Sequence, residues 1–345
     1  MHKLTYTLKY ESMNASNTTI ASPRGTLDQL LALGSALVRP ECVLATRAGD
    51  IYSADWRGGV AHLHADGKQS LYAGRMPDGS EPKPNGIALL PDGSFLFTHL
   101  GADSGGVYRL TRDGGIGAWL TQVDGQALPP TNFVVQDAQG RTWITVSTRK
   151  APRALGYRRS CDDGFIVCVS PDGQAHIAAD ALGYTNEVAI HPDGHWLYVN
   201  ETFARRLTRF PLCADGRLGA RETVAEFGPG TFPDGMAFDE DGHVWVVSIV
   251  SNRLIRVAPD GTQTLWLEDA DAEHLAWVEA AFDANQMDRP HLDGMRSRTL
   301  RNISSIAFSG DDRRTALLGC LLGDSLQSLR LPVAGAPPIH WNYSS

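Results

Sequence analysis

One phrase recurs six times along the chain, and its fixed phase constrains the fold more than any other feature. Each copy opens on a polar residue, continues as a short apolar run and reaches a tight turn eight residues later. The turn position is a glycine in five copies and Asp312 in the sixth. The opening residues are Glu41, Asn85, Asn132, Asn186, Asp234 and Ser304. Their spacings of 44, 47, 54, 48 and 70 residues are typical of a β-propeller with one insertion.

The segment that follows each opening residue predicts one blade of four short strands. Apolar runs of strand length alternate with Asp-Gly turns, as in Pro91-Asp92-Gly93. We therefore expect an all-β fold, a six-bladed β-propeller that spans residues 38–335. A chain of 345 residues is long enough for two domains, but closed all-β folds of this length are often single domains.

Three segments lie outside the repeat. Residues 1–37 predict an N-terminal arm, with a short helix around residues 26–38, and residues 336–345 predict a C-terminal tail. Residues 268–301 separate the fifth and sixth blades, and we expect them to form a lid-like insertion over the channel. Within this insertion a helical period is indicated by apolar residues at Leu275, Val278, Ala281 and Phe282.

A second irregular segment, residues 149–163, interrupts the third blade. It is rich in arginine, and it predicts a loop between two strands. These side chains could bind an acidic group of a substrate, but a solvated basic loop is the favoured interpretation. The arginines concerned are Arg149, Arg153, Arg158 and Arg159.

The opening residues predict a metal site, because the first strand of each propeller blade lines the central channel. Residues at one phase of six such strands form a ring around the axis. Every residue of this ring is polar and offers oxygen, and two are carboxylates. Such a set suits a hard divalent cation, and the absence of histidine and cysteine from the ring disfavours zinc. We expect one Ca²⁺ ion, with Zn²⁺, Mn²⁺ and Mg²⁺ as alternatives.

Three stretches of the sequence resemble a known family. They read KPNGIALLPDG at 83–93, YTNEVAIHPDG at 184–194 with LYVNETFARRLTRF at 197–210, and FPDGMAFDEDGHVWV at 232–246. Over residues 38–335 the chain resembles the senescence-marker-protein, gluconolactonase and regucalcin-like family of six-bladed propellers, to which the calcium-dependent diisopropylfluorophosphatase is related. The resemblance implies a metal-dependent hydrolase that opens a lactone. It implies that the metal is held by Glu41, Asn186 and Asp234, with Asn132 as a fourth ligand or as a substrate contact.

The same resemblance implies that Asp234 acts as general base or nucleophile beside the metal. The candidate substrate-binding residues are Asn85, His99, Asn132 and Ser304. Sugar lactonases of this family carry an Arg-x-Asn-Asp motif, and residues 130–133 read Pro-Thr-Asn-Phe instead. A less polar lactone or ester is therefore equally admissible, and we expect the insertion helix to roof the pocket with Leu275, Trp277 or Phe282.

Two other function classes remain open at the level of sequence. One is a metal propeller enzyme with phosphotriesterase or non-hydrolytic activity, and the other is a non-catalytic calcium-binding propeller. A net charge of −8 argues against a nucleic-acid partner, and the apolar runs are too short for a membrane span. Five scattered cysteines without paired spacing favour reduced thiols in a cytoplasmic protein. We expect the partner to be a small-molecule substrate.

Overall fold

Six four-stranded antiparallel sheets make up the fold in the computed structural model, which describes residues 22–344. The innermost strands of the six sheets contact one another in a closed cycle around a central channel. The chain is therefore a six-bladed β-propeller, as predicted. The inner strands begin where the repeat placed them, within two residues of five of the opening residues and three residues before Asp234.

The first three blades follow one another along the chain. Blade I contains β2 (Val43–Ala45), β3 (Ile51–Asp55), β4 (Gly59–Leu63) and β5 (Gln69–Ala73). Blade II contains β6 (Pro84–Leu89), β7 (Phe95–His99), β8 (Val107–Leu110) and β9 (Ile116–Leu120). After a small hairpin of β10 (Gln122–Val123) and β11 (Gln126–Ala127), blade III contains β12 (Thr131–Gln136), β13 (Thr142–Val146), β14 (Gly164–Val169) and β15 (Ala175–Leu182).

The last three blades complete the ring. Blade IV contains β16 (Thr185–Ile190), β17 (Trp196–Glu201), β18 (Arg206–Pro211) and β19 (Glu222–Glu226). Blade V contains β20 (Thr231–Phe238), β21 (Val244–Val250), β22 (Arg253–Val257) and β23 (Gln263–Leu267). Blade VI contains β24 (Ile303–Ser309), β25 (Thr315–Cys320), β26 (Leu326–Arg330) and, from the start of the chain, β1 (Leu31–Leu33).

The blades pack face to face, and this packing decides which strands are buried. The second strands β3, β7, β13 and β21 are buried along their whole length, because each lies between two neighbouring sheets. The outermost strands β5 and β9 are largely exposed or half-buried. Strands covered on both faces read as continuous apolar runs, which is why the repeat is strongest in the first half of each blade.

The turns between the first and second strands explain the fixed phase of the repeat. Gly194 has a φ of +76°, and its counterparts in blades I, II, III and V are also in the left-handed region, where glycine has no steric cost. In blade VI the inner strand is one residue longer before the turn, and the left-handed position is Arg313, with a φ of +50°. Its backbone N–H donates to Gly310, as that of Gly194 does to His191. Asp312 is therefore not the equivalent of the turn glycines.

The N-terminal segment differs from the expected arm. The predicted short helix is a single 3₁₀ turn, Leu27–Gln29, and the next residues form β1. Strand β1 pairs antiparallel with β26, with Leu31 opposite Ser328 and Leu33 opposite Leu326. The start and the end of the chain thus share one sheet, which closes the ring of blades. Residues 1–21 of the predicted arm lie outside the described residues.

The C-terminal segment crosses the turn end of the propeller. Ala336 N donates to Phe238 O in blade V, and Arg47 N in blade I donates to Trp341 O. Tyr343 accepts a hydrogen bond of 2.8 Å from the guanidinium of Arg112 in blade II. Because these partners belong to three blades, the tail covers the mouth of the channel at the end opposite to the starts of the inner strands.

The insertion between blades V and VI contains the predicted helix. It is α1 (Ala272–Asp283), capped by Asp271, and a short α2 (Arg289–Asp293) follows it. The basic segment of blade III connects β13 to β14 as a loop with one 3₁₀ turn, Arg153–Gly156. Within residues 22–344 no helix is long and apolar enough to cross a membrane. All five cysteines fall in that range, and all are free.

The closing strand gives a prediction about stability. Leu33 is half-buried and packs against the core between blades I and VI, whereas Leu31 on the same strand is 68% exposed. Leu33→Asp should lower the free energy of unfolding by about 2–3 kcal/mol, because it places a charge where β1 is packed. Leu31→Asp is the matched control and should change it by less than about 0.5 kcal/mol. Urea unfolding measures both, and equal losses would show that β1 does not close the ring.

Candidate active site on the propeller axis

Local irregularities in the inner strands aim the ring residues at the axis. In blades II to VI the pairing of the first and second strands shifts register at the ring residue itself. Such a β-bulge bends the strand and redirects a side chain. The sixth ring residue, Glu41, lies just before β2. The ring therefore sits at the starts of the inner strands, where the backbone departs from regular pairing.

Five of the six ring residues line one buried cavity. The cavity encloses about 40 Å³, which is room for only a few waters. Its floor contains Glu41, Asn85, Asn132, Asn186 and Asp234. All five are buried. The four residues predicted as metal ligands are therefore brought together, and Asn85, predicted as a substrate contact, joins them.

The asparagines present their oxygens to this cavity. Asn186 Nδ2 donates to Thr202 Oγ1 at 3.0 Å, and Thr202 in turn donates to the backbone oxygen of Pro233. Asn85 Nδ2 donates to the backbone oxygen of Asn132 at 3.0 Å. With the amide nitrogens engaged in this way, the amide oxygens are the atoms left for a ligand. The Oδ1 atoms of Asn85 and Asn132 are buried and have no hydrogen-bond partner.

Glu41 is the second acidic residue of the floor. Its Oε2 atom lies 2.9 Å from Arg39 Nη2, yet no group donates a well-directed hydrogen bond to it. Arg39 also lies over the ring of Trp56, 4.6 Å from its centroid. An unsatisfied carboxylate oxygen in a buried site costs several kcal/mol unless a cation or a donor meets it. Glu41 therefore has one oxygen available for a ligand.

The electrostatics of the floor favour a cation. Burial raises the pKa of Asp234 well above its usual range, and the negative charges of Glu41 and Glu187 raise it further. Burial also raises the pKa of Glu187 to about 8. Like charges this close oppose ionisation, and a divalent ion among them would remove the conflict.

The orientation of Glu187 differs from what strand alternation alone predicts. Alternation predicts that it points away from the axis, but the bulge between Thr185 and Val188 breaks that alternation. Its carboxylate accepts a hydrogen bond of 3.0 Å from the backbone N–H of Met236 on the next inner strand. The negative charge of nearby Glu41 also raises the pKa of Glu187. Glu187 is thus a buried acid of the channel and holds two blades together.

The upper walls of the cavity come from residues that the repeat does not contain. Arg153 and Tyr157 belong to the basic loop of blade III, and Arg289 and Leu292 belong to α2. The α2 part of the insertion therefore contributes to the wall above the ring. The remaining wall residues are Arg39, Leu100, Tyr184, Thr202, Phe203, Ile249 and Leu321.

Two predicted substrate-binding residues lie outside the cavity walls. His99 is buried at the end of β7, where its Nδ1 accepts a hydrogen bond from Lys83 N at 3.1 Å, and burial lowers its pKa. Ser304 donates to the backbone oxygen of Glu41 at 3.1 Å. Its hydroxyl thus supports the segment that carries Glu41.

The helix α1 does not roof the cavity. Leu275, Trp277 and Phe282 were expected there, but none of them is a wall residue. Trp277 is 47% exposed and stacks on His291. Phe282 is buried behind the wall, where it packs near Phe203. The apolar wall residues are instead Leu100, Phe203, Ile249, Leu292 and Leu321. The expectation that Leu275, Trp277 or Phe282 of α1 roofs the pocket is therefore wrong.

The described part of the chain contains two further clusters of acidic and histidine side chains, and within each cluster the possible ligand atoms lie within 4.8 Å of one another. They are Asp50 with His62 and His64, and Asp239 with Asp241 and His243. Asp50 and Asp239 are engaged in hydrogen bonds, the first to His62 and the second to Trp245. Neither group lies on the axis.

The fold and the cavity define the chain as a six-bladed propeller with an oxygen-lined site on its axis. Comparison with known proteins identifies its family. The model of the SMP-30/gluconolactonase/LRE-like region matches residues 39–268. The chain therefore belongs to the SMP-30/gluconolactonase/LRE-like family. This membership supports a hydrolase role.

Relatives in this group include a lactonase and a phosphatase. The chain is 29% identical over 225 residues to a 6-deoxy-6-sulfogluconolactonase of Pseudomonas putida, which covers 64% of this chain and 72% of the relative. It is also 29% identical over 149 residues to the diisopropyl-fluorophosphatase of Loligo vulgaris, 41% of this chain and 47% of the relative. The chain thus matches about half of the second protein's length.

A solved structure shows the same fold. The calcium-binding protein regucalcin of Agrobacterium tumefaciens superposes with a TM-score of 0.63 at 19% identity. The match covers 88% of this chain and 92% of that one.

The anchoring of α1 gives a second prediction. Both oxygens of Glu279 accept from the buried guanidinium of Arg205, at 2.5 and 3.0 Å, and one also accepts from Gly230 N. Glu279→Ala should loosen the insertion, because removing one partner of a buried ion pair costs about 3–5 kcal/mol. Hydrogen exchange should then show lost protection in α1 and α2 while the blades stay protected.

A matched control for this prediction lies on the same helix. Glu273, whose side chain is 90% exposed, makes only a 4.0 Å contact with Arg296. Glu273→Ala should leave the exchange pattern unchanged. Equal exchange in both variants would show that the pair of Arg205 and Glu279 does not hold α1 on the propeller.

Proposed function

We propose that this chain is a lactone hydrolase that depends on one divalent cation, held by Glu41, Asn132, Asn186 and Asp234. The observation that carries the proposal is the set of buried oxygens without partners on the floor of the axial cavity. Carboxylate and amide oxygens are ligands that Ca²⁺ prefers, and two carboxylates would balance its charge. Asn85 Oδ1 adds a further neutral oxygen on the same floor.

The choice of a lactone draws on the family and on the relative named 6-deoxy-6-sulfogluconolactonase. A bound cation would supply polarisation of the lactone carbonyl. Asp234 lies among the proposed ligands and is the acidic group placed to take a proton from the attacking water, or to attack the carbonyl carbon itself. In either route the ring C–O bond breaks and the leaving alkoxide takes a proton. Attack by water gives the hydroxy acid directly, whereas attack by Asp234 gives an anhydride that a water molecule must then hydrolyse to release the hydroxy acid and restore the carboxylate.

Substrate entry requires the walls to move. A cavity of about 40 Å³ is far smaller than the several hundred Å³ of most small-molecule sites. A larger cleft of about 850 Å³ adjoins it, and Arg39, Arg289 and Leu321 belong to the walls of both. We propose that substrate enters through this cleft when α2 swings outward, and that closure then excludes water.

Phosphotriester hydrolysis is the second candidate, favoured by the match to diisopropyl-fluorophosphatase. The same floor could polarise a phosphoryl oxygen, so geometry alone leaves both substrates admissible. A panel of lactones and organophosphates, assayed with the metal-loaded protein, separates them. Turnover of lactones alone supports the first candidate, and turnover of organophosphates alone overturns it.

The metal site gives a third prediction. Glu41→Gln and Asp234→Asn should each lose the cation in elemental analysis and lower kcat/KM at least about 100-fold, because each removes a charged ligand. Ser304→Ala is the control from the same ring and should keep the cation, since its hydroxyl faces a backbone oxygen. Chelation should abolish activity, and Ca²⁺ should restore it. Full metal content in Asp234→Asn, or activity that survives chelation, would contradict the proposal.

A further inference from the structure

We propose that the upper wall of the axial cavity is an anion-binding subsite, which selects lactones that carry an oxyanion substituent. Its guanidinium groups belong to Arg153, Arg289 and Arg39. The proposal rests on the proposed lactone hydrolysis and names the class of substrate for it. A carboxylate, a sulfonate and a phosphate share the recognised chemistry, a planar or tetrahedral group of charged oxygens that accepts paired N–H donors.

Arg153 is the central observation, because it differs from the other arginines of its loop. Arg149 forms an ion pair with Asp180, and Arg158 donates to the backbone oxygens of Tyr157 and Met287. Arg159 lies 3.6 Å from Asp283 on α1. Each of these three is directed to protein partners away from the cavity, whereas Arg153 is a wall residue.

Arg153 has donors to spare inside the site. Its Nη2 donates to Ser147 Oγ at 3.1 Å, and its guanidinium lies 5.7 Å from the ring centroid of Tyr184. Its Nε atom is buried and has no hydrogen-bond partner. Among the residues from 22 to 344, no carboxylate lies within ion-pair distance of it. Arg153 is half-buried and has no carboxylate partner in this range, so a ligand that supplies negative charge would pair with it.

Arg39 and Arg289 stand at the boundary between the cavity and the outer cleft. Arg39 Nε is buried without a partner, as in Arg153. Arg289 pairs with Asp293 through one edge of its guanidinium, at 2.7 Å. Its remaining donors face Tyr157, whose ring also packs near Tyr184. Arg39 Nη2 also lies 2.9 Å from Glu41 Oε2. Both guanidiniums belong to the stretch of wall that the two spaces share.

The balance of charge supports an anionic ligand. The cavity walls contain two carboxylates, Glu41 and Asp234, against three guanidiniums. A divalent cation on the floor would offset both carboxylates, and Asp293 pairs with Arg289. Arg153 and Arg39 then remain in excess. Arg289 is exposed, so the attraction to an anion would be stronger at the half-buried Arg153 and Arg39. A neutral lactone would leave that excess unbalanced, whereas an anionic one would meet it.

The arrangement also orients the substrate. The proposed ligands lie on the floor, and Arg153 and Arg289 lie on the roof. The lactone carbonyl and an oxyanion held by these two arginines must therefore sit at opposite ends of the bound molecule. Because Arg153 and Arg289 belong to the two segments that close the cavity, their contact with the oxyanion would favour the closed state. The donation from Arg158 to Met287 joins these segments. Binding of the anion would therefore be coupled to closure.

The test compares a δ-lactone that carries a carboxylate with its neutral methyl ester, using metal-loaded protein. We expect kcat/KM to favour the carboxylate at least tenfold. Arg153→Gln should reduce that preference at least tenfold, which is the fold-change expected when a charge-assisted hydrogen bond is lost. Arg149→Gln, on the same loop, is the matched control and should keep the preference within twofold. Sulfonate and phosphate analogues of the lactone show which oxyanion fits best.

A binding measurement keeps the subsite testable apart from turnover. Inorganic sulfate should raise the melting temperature of the wild-type protein and of Arg149→Gln, and it should not raise that of Arg153→Gln. The unliganded melting temperature of Arg153→Gln shows that this variant is folded. Arg289→Gln, which removes a second guanidinium, serves as an independent variant.

The outcomes separate the two proposals. If both lactones are hydrolysed without preference and Arg153→Gln changes nothing, the anion subsite is wrong and lactone hydrolysis stands. If no lactone is hydrolysed, the proposed function fails, and the sulfate measurement alone decides the subsite. Protection by sulfate that depends on Arg153 supports it, and protection that is absent or equal in all variants overturns it.

Discussion

The main physical constraint on this structure is that three acidic side chains are buried together at the propeller axis. Glu41, Asp234 and Glu187 lie close together with little exposure, and burial with mutual repulsion raises the pKa of both Asp234 and Glu187. The fold tolerates this only because it brings balancing groups to the same point: the Met236 N–H to Glu187, the Arg39 guanidinium to Glu41, and, we propose, a divalent cation to the ring. Burying these oxygens costs folding free energy, and the same unsatisfied oxygens bind a cation strongly.

Different segments of the chain close the ring of blades and cover the cavity. The blades are closed by β1, which joins the beginning of the chain to β26. The tail around Trp341 lies at the turn end of the channel, and α2 and the basic loop cover the cavity at the ring end. The ring strands are buried between sheets, whereas the roof is attached by ion pairs such as that of Arg205 with Glu279 and by a hydrophobic cluster that includes Phe282 and Leu292. This division places the metal ligands on buried strands and the substrate contacts on segments that can move.

The sequence predicted what is periodic and missed what is not. Six polar residues at one phase predicted the blades and the five residues of the floor, since equivalent positions of equivalent strands meet at the axis. The bulges that turn Glu187 inward leave no periodic signal, and β1 has only three residues, with a partner almost 300 residues away. The roof arginines lie in segments without a repeat. Their positions depend on tertiary contacts, such as that of Arg158 with Met287, which no local pattern encodes.

The central claim is that one divalent cation occupies the ring, and anomalous diffraction tests it most directly. Crystals of the protein prepared with Mn²⁺ in place of Ca²⁺ would locate the ion independently of activity. The account predicts a single strong anomalous peak on the axis, within about 2.6 Å of oxygens from Glu41, Asn132, Asn186 and Asp234. A peak at Asp50, His62 and His64 instead, or an axis occupied only by water at saturating Mn²⁺, would contradict it.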